Sequence, residues 1–322
     1  MSAPTAATRG RQSEAPSAAV LGVFSPLARR IAGVRGGSVP SRDPEFVQRQ
    51  RASVAKLTSY FSPEVRGLEH LPESGPVLII GNHSCLFYMP DAWIVGLAML
   101  ERRGVDSPSY ALGYDLLFVV PGVSTYLRRM GLLPAAWREA GAALDEGAAV
   151  LVYPGGDWEA CRPWTLRNRV DLAGHTGFIR LALERGVPVV PVVTHGSHDA
   201  VIVLARGERL ARVMGLHHLR IKVFPLAAGL PFGVTTMLLP PLPMPSSITV
   251  EFLPALDWTG HGRQGALDDQ LVATCYEEIT DLMQSALDRL RVERPHPVVR
   301  GWSNLLRAAP AFKRVRSEQV ST

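Results

Sequence analysis

Short apolar runs recur along the middle of the chain, near residues 76–80, 148–153, 188–193, 219–224 and 248–253. Continuous apolar runs of this length predict strands. Between and around them, helical periodicity predicts helices over 90–103, 135–146 and 174–185, with another from about 42 to 60. Near the end of the main body, Leu267, Leu271, Cys275, Ile279, Leu282, Met283, Ala286 and Leu290 recur at helical spacing. That recurrence predicts a helix over about 266–292 with one buried stripe. Strands alternating with helices point to an α/β fold, a single mixed sheet flanked by helices. The 322 residues show no repeat and no clean linker. The expected division is a tail over 1–20, an N-terminal helical segment that associates with a membrane over 21–60, the principal domain over 61–295 and a basic tail over 296–322.

Residues 223–250 carry no charge, long enough to cross a bilayer on length alone, but Pro225, Pro231, Pro240, Pro241, Pro243 and Pro245 exclude an unbroken helix. The segment reads as an apolar loop, either lining a site, dipping into a lipid surface or buried as a core connection. Placement of charge says more than the net +5. Residues 1–56 hold nine basic and three acidic residues, residues 300–322 five and one, and the body between is acidic. Basic ends beside apolar stretches suit an anionic membrane surface, as where Arg29-Arg30 follow AAVLGVFSPLA and Lys313-Arg314 follow LLRAAPAF. No nucleic-acid-binding motif accompanies the charge. The first twenty residues lack the charged start and apolar centre of an export signal and read as disordered. Cys85, Cys161 and Cys275 are scattered without metal-like spacing, which favours a reducing compartment. The expected location is the cytoplasmic face of a membrane, peripheral or monotopic. Oligomeric state is not legible.

Candidate chemistry begins where the first run ends, at Asn82-His83, with Asp91 eight residues after the histidine and directly behind Pro90. Imidazole is the side chain suited to taking a proton at neutral pH, and a carboxylate can fix its tautomer and stabilise its charged form. On one continuous helix the two would lie about 12 Å apart along the axis, too far to bond. Pro90 instead predicts a helix starting there, leaving a loop able to fold Asp91 back toward His83. The structural alternative is a satisfied loop histidine and a first-turn acid favoured by the helix dipole.

The run AAVLVY leads into Pro154-Gly155-Gly156-Asp157-Trp158-Glu159, then Arg162, Arg167 and Arg169. Adjacent glycines allow close backbone approach to a ligand, and exposed amides there can receive an anion or a polarised carbonyl. Arginines supply forked donors for phosphate. Otherwise these residues are a turn and a solvated basic loop.

Taken together, the segments resemble the glycerolipid acyltransferase superfamily, related to bacterial 1-acylglycerol-3-phosphate acyltransferases. Asn82, His83 and Asp91 stand at its first motif, Tyr153-Pro154-Gly155-Gly156-Asp157 at the third and Val187-Pro188-Val189-Val190-Pro191 at the fourth. Arg128-Arg129-Met130-Gly131-Leu132-Leu133-Pro134 is a weaker match to the second. The resemblance implies O-acyl transfer from acyl-CoA or acyl carrier protein, as co-substrate and without a resident cofactor, to a glycerolipid or lysophospholipid hydroxyl. His83 is then the general base and Asp91 its partner. Asn82, Gly155, Gly156, Glu159, Arg162, Arg167 and Arg169 are the candidate substrate contacts, with the glycine amides as donors to the developing oxyanion. Two departures stand out. Seven residues separate the histidine and aspartate where the family commonly has four, and Gly155 occupies the place of the family's glutamate. A Pro-Gly-Gly sequence with a later glutamate is similar to the diacylglycerol and monoacylglycerol acyltransferase branch, whose acceptors are neutral, and Glu159 is then a replacement carboxylate.

Other chemistries lack their signatures. There is no Gly-x-Ser-x-Gly elbow, no nucleotide loop ending in Lys-Ser or Lys-Thr, and no paired-cysteine metal site. His195, His198 and Asp199 read as a polar loop ahead of a metal set. The alternative outside enzymology is a lipid-binding protein on the same fold.

Overall fold

The computed structural model describes residues 42–84, 88–120, 122–216, 221–236 and 238–308. A seven-stranded mixed sheet forms the centre: β1 (Glu64–Arg66), β2 (Val77–Gly81), β3 (Ser109–Gly113), β4 (Leu132–Pro134), β5 (Ala149–Val152), β6 (Val189–His195) and β10 (Thr249–Phe252), in the order β1-β10-β6-β2-β5-β3-β4. β6, β2, β5, β3 and β4 run parallel, while β10 is antiparallel to β6 and parallel to β1.

The apolar runs read as strands fall on β2, β5, β6 and β10, and the pleat sends alternate residues into two cores. Leu78 and Ile80 of β2, Val150 of β5 and Val189 and Val193 of β6 face one layer. That layer holds α4 (Trp137–Asp145), α6 (Gly177–Arg185) and α8 (Asp269–Glu293). Val77, Ile79, Leu151 and Val190 face the other, with α2 (Pro90–Arg103) behind them. Within α8 the expected stripe is buried at Cys275, Ile279, Met283, Ala286 and Leu290, but Leu267 precedes the helix and is exposed.

The N-terminal helix, α1 (Pro44–Ser59), is capped by Asp43, whose carboxylate accepts the Phe46 N–H at 2.8 Å and pairs with Arg129 at 2.7 Å. Arg129 belongs to α3 (Val123–Arg129) and lies 3.9 Å over the Phe46 ring. The described part of 21–60 therefore packs on the domain.

Three expectations are corrected. Residues 221–224 form no strand; the chain is irregular there and β8 starts after Pro225, at Leu226. The uncharged segment contains structure: β8 (Leu226–Gly229) and β9 (Gly233–Thr236) make a hairpin that joins β7 (Ile202–Ala205) in a second, antiparallel sheet, so the fold has more than the single sheet expected. Beyond 296, the expected tail begins with a helix, α9 (Pro297–Ala308), following α5 (Gly156–Ala160), α7 (Glu208–Val213) and the long α8. Proline at its first position and apolar residues on spaced turns explain it. The expectations for 1–41 and 309–322, including Arg29, Arg30, Lys313 and Arg314, lie outside the described residues.

Candidate functional site

β6, β2 and β5 are neighbours and run parallel, so their carboxyl ends open at one edge of the sheet. In open α/β sheets that edge is where ligands bind. His83 follows β2, Tyr153 follows β5 and Ser197-His198 follow β6.

At the end of β2, the Asn82 amide donates to the Thr194 carbonyl at 3.1 Å and accepts the Thr194 N–H at 2.7 Å. It thereby extends the β2–β6 ladder by one side chain. Read from sequence as a substrate contact, Asn82 is fully buried and both ends of its amide are engaged by the backbone.

His83 lies next, 8% exposed, with Nδ1 2.9 Å from Asp91 Oδ2. The loop that returns the carboxylate ends at Met89, whose left-handed φ of 46° reverses the chain into Pro90 at the first position of α2. A non-glycine residue there costs about 1–2 kcal/mol, offset by the contacts it brings together. Asp91 Oδ2 also accepts the Ser84 N–H at 2.9 Å, while its Oδ1 is buried without a hydrogen bond. With Nδ1–H donating to Asp91, Nε2 carries the lone pair; it has no hydrogen-bond partner among the described residues. The ring stacks on Tyr153 at 4.5 Å. A Cβ on Gly81 would come within 2.4 Å of the Tyr153 ring, so the glycine that closes β2 makes room for that stack.

Glu159 braces the histidine from behind. Its Oε2 accepts the His83 N–H at 2.8 Å and its Oε1 the Asp171 N–H at 3.0 Å, and it is fully buried. Arg162 stands 3.8 Å away, 1% exposed, and donates to the carbonyls of His83 (2.7 Å), Glu159 (2.9 Å), Leu166 (3.1 Å) and Arg167 (3.0 Å). A buried ion pair persists when its remaining donors and acceptors are met, as they are here. Both residues were read as substrate contacts. The structure instead spends their polar atoms on the backbone that carries His83. Sequence reasoning missed Ser84, Tyr153, Asp171 and His198 as parts of this assembly. Position directly after an apolar strand was a usable signal for Tyr153.

The electrostatics follow from burial and charge. Burial opposes protonation of His83, but the Asp91 charge and hydrogen bond, with the Glu159 charge, outweigh it and raise the imidazole above its usual pKa. Burial pushes the Glu159 carboxyl up to about 7, against Arg162 and the two N–H donors. His198 falls to about 3, from burial and then the Arg162 charge, so it is neutral and its Nε2–H donates to the Arg162 carbonyl at 2.7 Å.

Gly155 is buried, and a Cβ on it would sit 2.4 Å from the Asp171 carbonyl and 2.6 Å from Glu159 Oε2. The space a glutamate would need at 155 is taken by Glu159 itself. Gly156, at φ +50°, turns its N–H to the Tyr153 carbonyl at 3.0 Å, whereas the Gly155 N–H has no partner among the described residues. Of the two amides considered as oxyanion donors, one is thus already bonded. Arg167 pairs with Asp199 at 3.2 Å and lies over Trp164 at 3.7 Å; Arg169 is exposed and without an ion pair among the described residues. His195 Nε2 bonds the Arg294 carbonyl at 3.1 Å and His198 bonds Arg162, and the described residues include no metal-ligating cluster. Cys161 and Cys275 are buried, and Cys85 lies outside the described residues.

Residues 62–195, which contain this site, match the family model described as Acyltransferase. An uncharacterized protein of Mycobacterium leprae is 27% identical over 237 residues, 73% of this chain and 62% of the relative. The human DGAT1/2-independent enzyme synthesizing storage lipids is 29% identical over 195 residues, 59% of this chain and 56% of that protein. The crystal structure of the 1-acyl-sn-glycerophosphate (LPA) acyltransferase from Thermotoga maritima superposes with a TM-score of 0.47 at 17% identity, covering 85% of this chain and 95% of that one. The chain spans less than two thirds of the length of these two curated relatives. Residues 62–195 are thus similar to the acyltransferase family, and the relatives named for lipid synthesis point to its glycerolipid branch.

Proposed function

We propose, with that similarity as the premise, that the protein is an O-acyltransferase moving an acyl group from a thioester, acyl-CoA or acyl carrier protein, to the hydroxyl of a lipid acceptor. The observation that carries the reading is the buried His83–Asp91 hydrogen bond of 2.9 Å, which leaves Nε2 as the proton acceptor. The acceptor hydroxyl gives its proton to His83 Nε2 as its oxygen attacks the thioester carbonyl carbon. Negative charge collects on the carbonyl oxygen, and the Gly155 N–H is the candidate donor toward it. The carbon–sulfur bond then breaks, the ester is released, and the imidazolium returns the proton to the leaving thiolate. No resident cofactor enters this scheme. The setting proposed is the cytoplasmic face of an anionic membrane, the protein being peripheral or monotopic; no helix among the described residues is long and apolar enough to cross a bilayer.

A glycerophosphate or lysophospholipid acceptor needs cationic donors for its phosphate. The engagement of Arg162 with four carbonyls and Glu159, and of Arg167 with Asp199, favours the neutral alternative, a monoacylglycerol or diacylglycerol. The human relative named for storage lipids supports it. Exposed Arg169 is then available to the phosphates of the donor. Thiol release from a long-chain acyl-CoA, followed with a panel of glycerol phosphates, lysophospholipids, monoacylglycerols and diacylglycerols, tests both levels. Stimulation by the neutral acceptors alone is expected. Stimulation confined to phosphorylated acceptors refutes the neutral reading, and release indifferent to every acceptor refutes acyl transfer in favour of thioester hydrolysis.

A further inference from the structure

Residues 238–245 form a strap that ties three parts of the molecule together. The Leu242 N–H bonds the Leu230 carbonyl at 2.7 Å, holding the β8–β9 hairpin. The Pro241 carbonyl accepts the Tyr88 hydroxyl at 2.8 Å, and Tyr88 lies in the loop between His83 and Asp91. At the far end, Gly301 of α9 packs so closely on Pro245 that a Cβ would stand 2.4 Å from its carbonyl oxygen. The hairpin, the dyad loop and the C-terminal helix are therefore fixed to one short segment.

Both outer elements show apolar side chains to solvent. On the hairpin and strap, Leu230, Phe232, Val234, Leu238, Leu239 and Leu242 are exposed, Leu230 at 76% and Leu238 at 73%. On α9, Val299, Trp302, Leu305 and Leu306 are exposed. Scattered exposed leucines need no explanation, but a run of them along linked elements marks an interaction surface. Charge selects the partner. No acid occurs from 223 to 250, and α9 carries Arg300 and Arg307 without an aspartate or glutamate. Neither arginine has an ion-pair partner among the described residues. Pairing of two copies through such a face would oppose like charges, whereas an anionic bilayer accepts the apolar side chains and the arginines together.

We propose that the β8–β9 hairpin, its strap and the outer face of α9 are the surface on which the protein seats itself on an anionic bilayer. This rests on the acyl-transfer reading only for its purpose, because a strap bonded to Tyr88 sets the lipid surface beside the dyad loop. The test is flotation of the full-length protein with vesicles of phosphatidylcholine alone or mixed with phosphatidylglycerol. The wild type is expected to float with the mixed vesicles. Leu230→Glu with Leu238→Glu, and separately Trp302→Glu with Leu306→Glu, are each expected to lower binding at least tenfold. Arg300→Gln with Arg307→Gln is expected to lower it roughly fivefold per arginine, on the anionic vesicles only. Circular dichroism and acyl transfer to a water-soluble alcohol serve as controls for folding, and serine replacements at the same leucines give a graded loss should glutamate unfold the hairpin. Wild-type flotation by folded variants of either apolar pair overturns the proposal. So does a variant that loses self-association in sedimentation while still floating. Flotation needs no substrate, so an inactive enzyme would count against the acyl-transfer reading and leave this one standing.

Discussion

Replacing Asp91 by asparagine separates two roles that one carboxylate plays. Asp91 Oδ2 accepts both the His83 Nδ1–H and the Ser84 N–H, each at 2.9 Å, while Oδ1 is buried and unbonded. An asparagine that keeps its oxygen at the Oδ2 position preserves both bonds and places its NH2 where Oδ1 was. The tautomer of His83 is then retained, and what is lost is the negative charge beside a forming imidazolium. A hydrogen bond to a charged partner exceeds a neutral one by about 1–2 kcal/mol, and Coulomb attraction at about 4 Å and an effective dielectric near 20 sets an upper end of about 4. A loss of about 2–4 kcal/mol lowers kcat by roughly 30- to 1,000-fold. The measurement is thiol release from acyl-CoA under saturating acceptor, with thermal unfolding to confirm the fold. A fall of roughly 10,000-fold in a folded variant would mean that the amide had turned and forced the wrong tautomer, refuting the claim that Ser84 anchors the oxygen.

His83→Ala is expected to abolish transfer while leaving the far-ultraviolet circular dichroism unchanged; near-normal turnover would remove the general base. Because His83 must be neutral to accept a proton and its pKa is raised, kcat/KM is expected to climb with pH through a value above 6.5. The matching stability contribution is present below the unfolded value and lost as pH rises through the folded one. Glu159→Gln removes one of the charges that raise His83, so the acid limb of that profile should move to lower pH, a shift that a merely structural role would not produce. One of its two N–H contacts also meets a donor, costing about 1–3 kcal/mol in urea unfolding. Gly155→Ala forces a methyl against the Asp171 carbonyl and Glu159, and is expected to destabilise the protein by about 1–3 kcal/mol and to slow transfer; unchanged melting would show that the turn relaxes freely.

Elements whose identity depends on local composition were legible in the sequence. The Val77–Gly81 and Val189–His195 strands are buried throughout, and up to the closing Thr194-His195 every position is apolar or small, so the run announces itself. Ser109–Gly113 is a strand because β5 pairs with it, and its own five residues carry no comparable pattern. The same holds for the three-residue β1 and β4. Pro90 disclosed the start of α2 and hence the return of Asp91, but the left-handed Met89 that makes the return possible leaves no mark in composition. Arg162 was misread because a guanidinium in a basic stretch looks solvated. Its neighbours Ala160, Cys161 and Pro163, with a glutamate three positions earlier, were the available hint of burial.

One arginine dictates the course of the chain from 159 to 167, and one glutamate ties that course to the histidine. Nothing in this interlock can be lengthened or shortened without displacing the base. The hairpin and strap approach the dyad loop from outside through a tyrosine hydroxyl and a carbonyl, a joint that tolerates change on its far side. If the proposed activity holds, differences in acceptor among similar proteins are therefore expected to accumulate in 226–245, while 153–171 is expected to change as a unit.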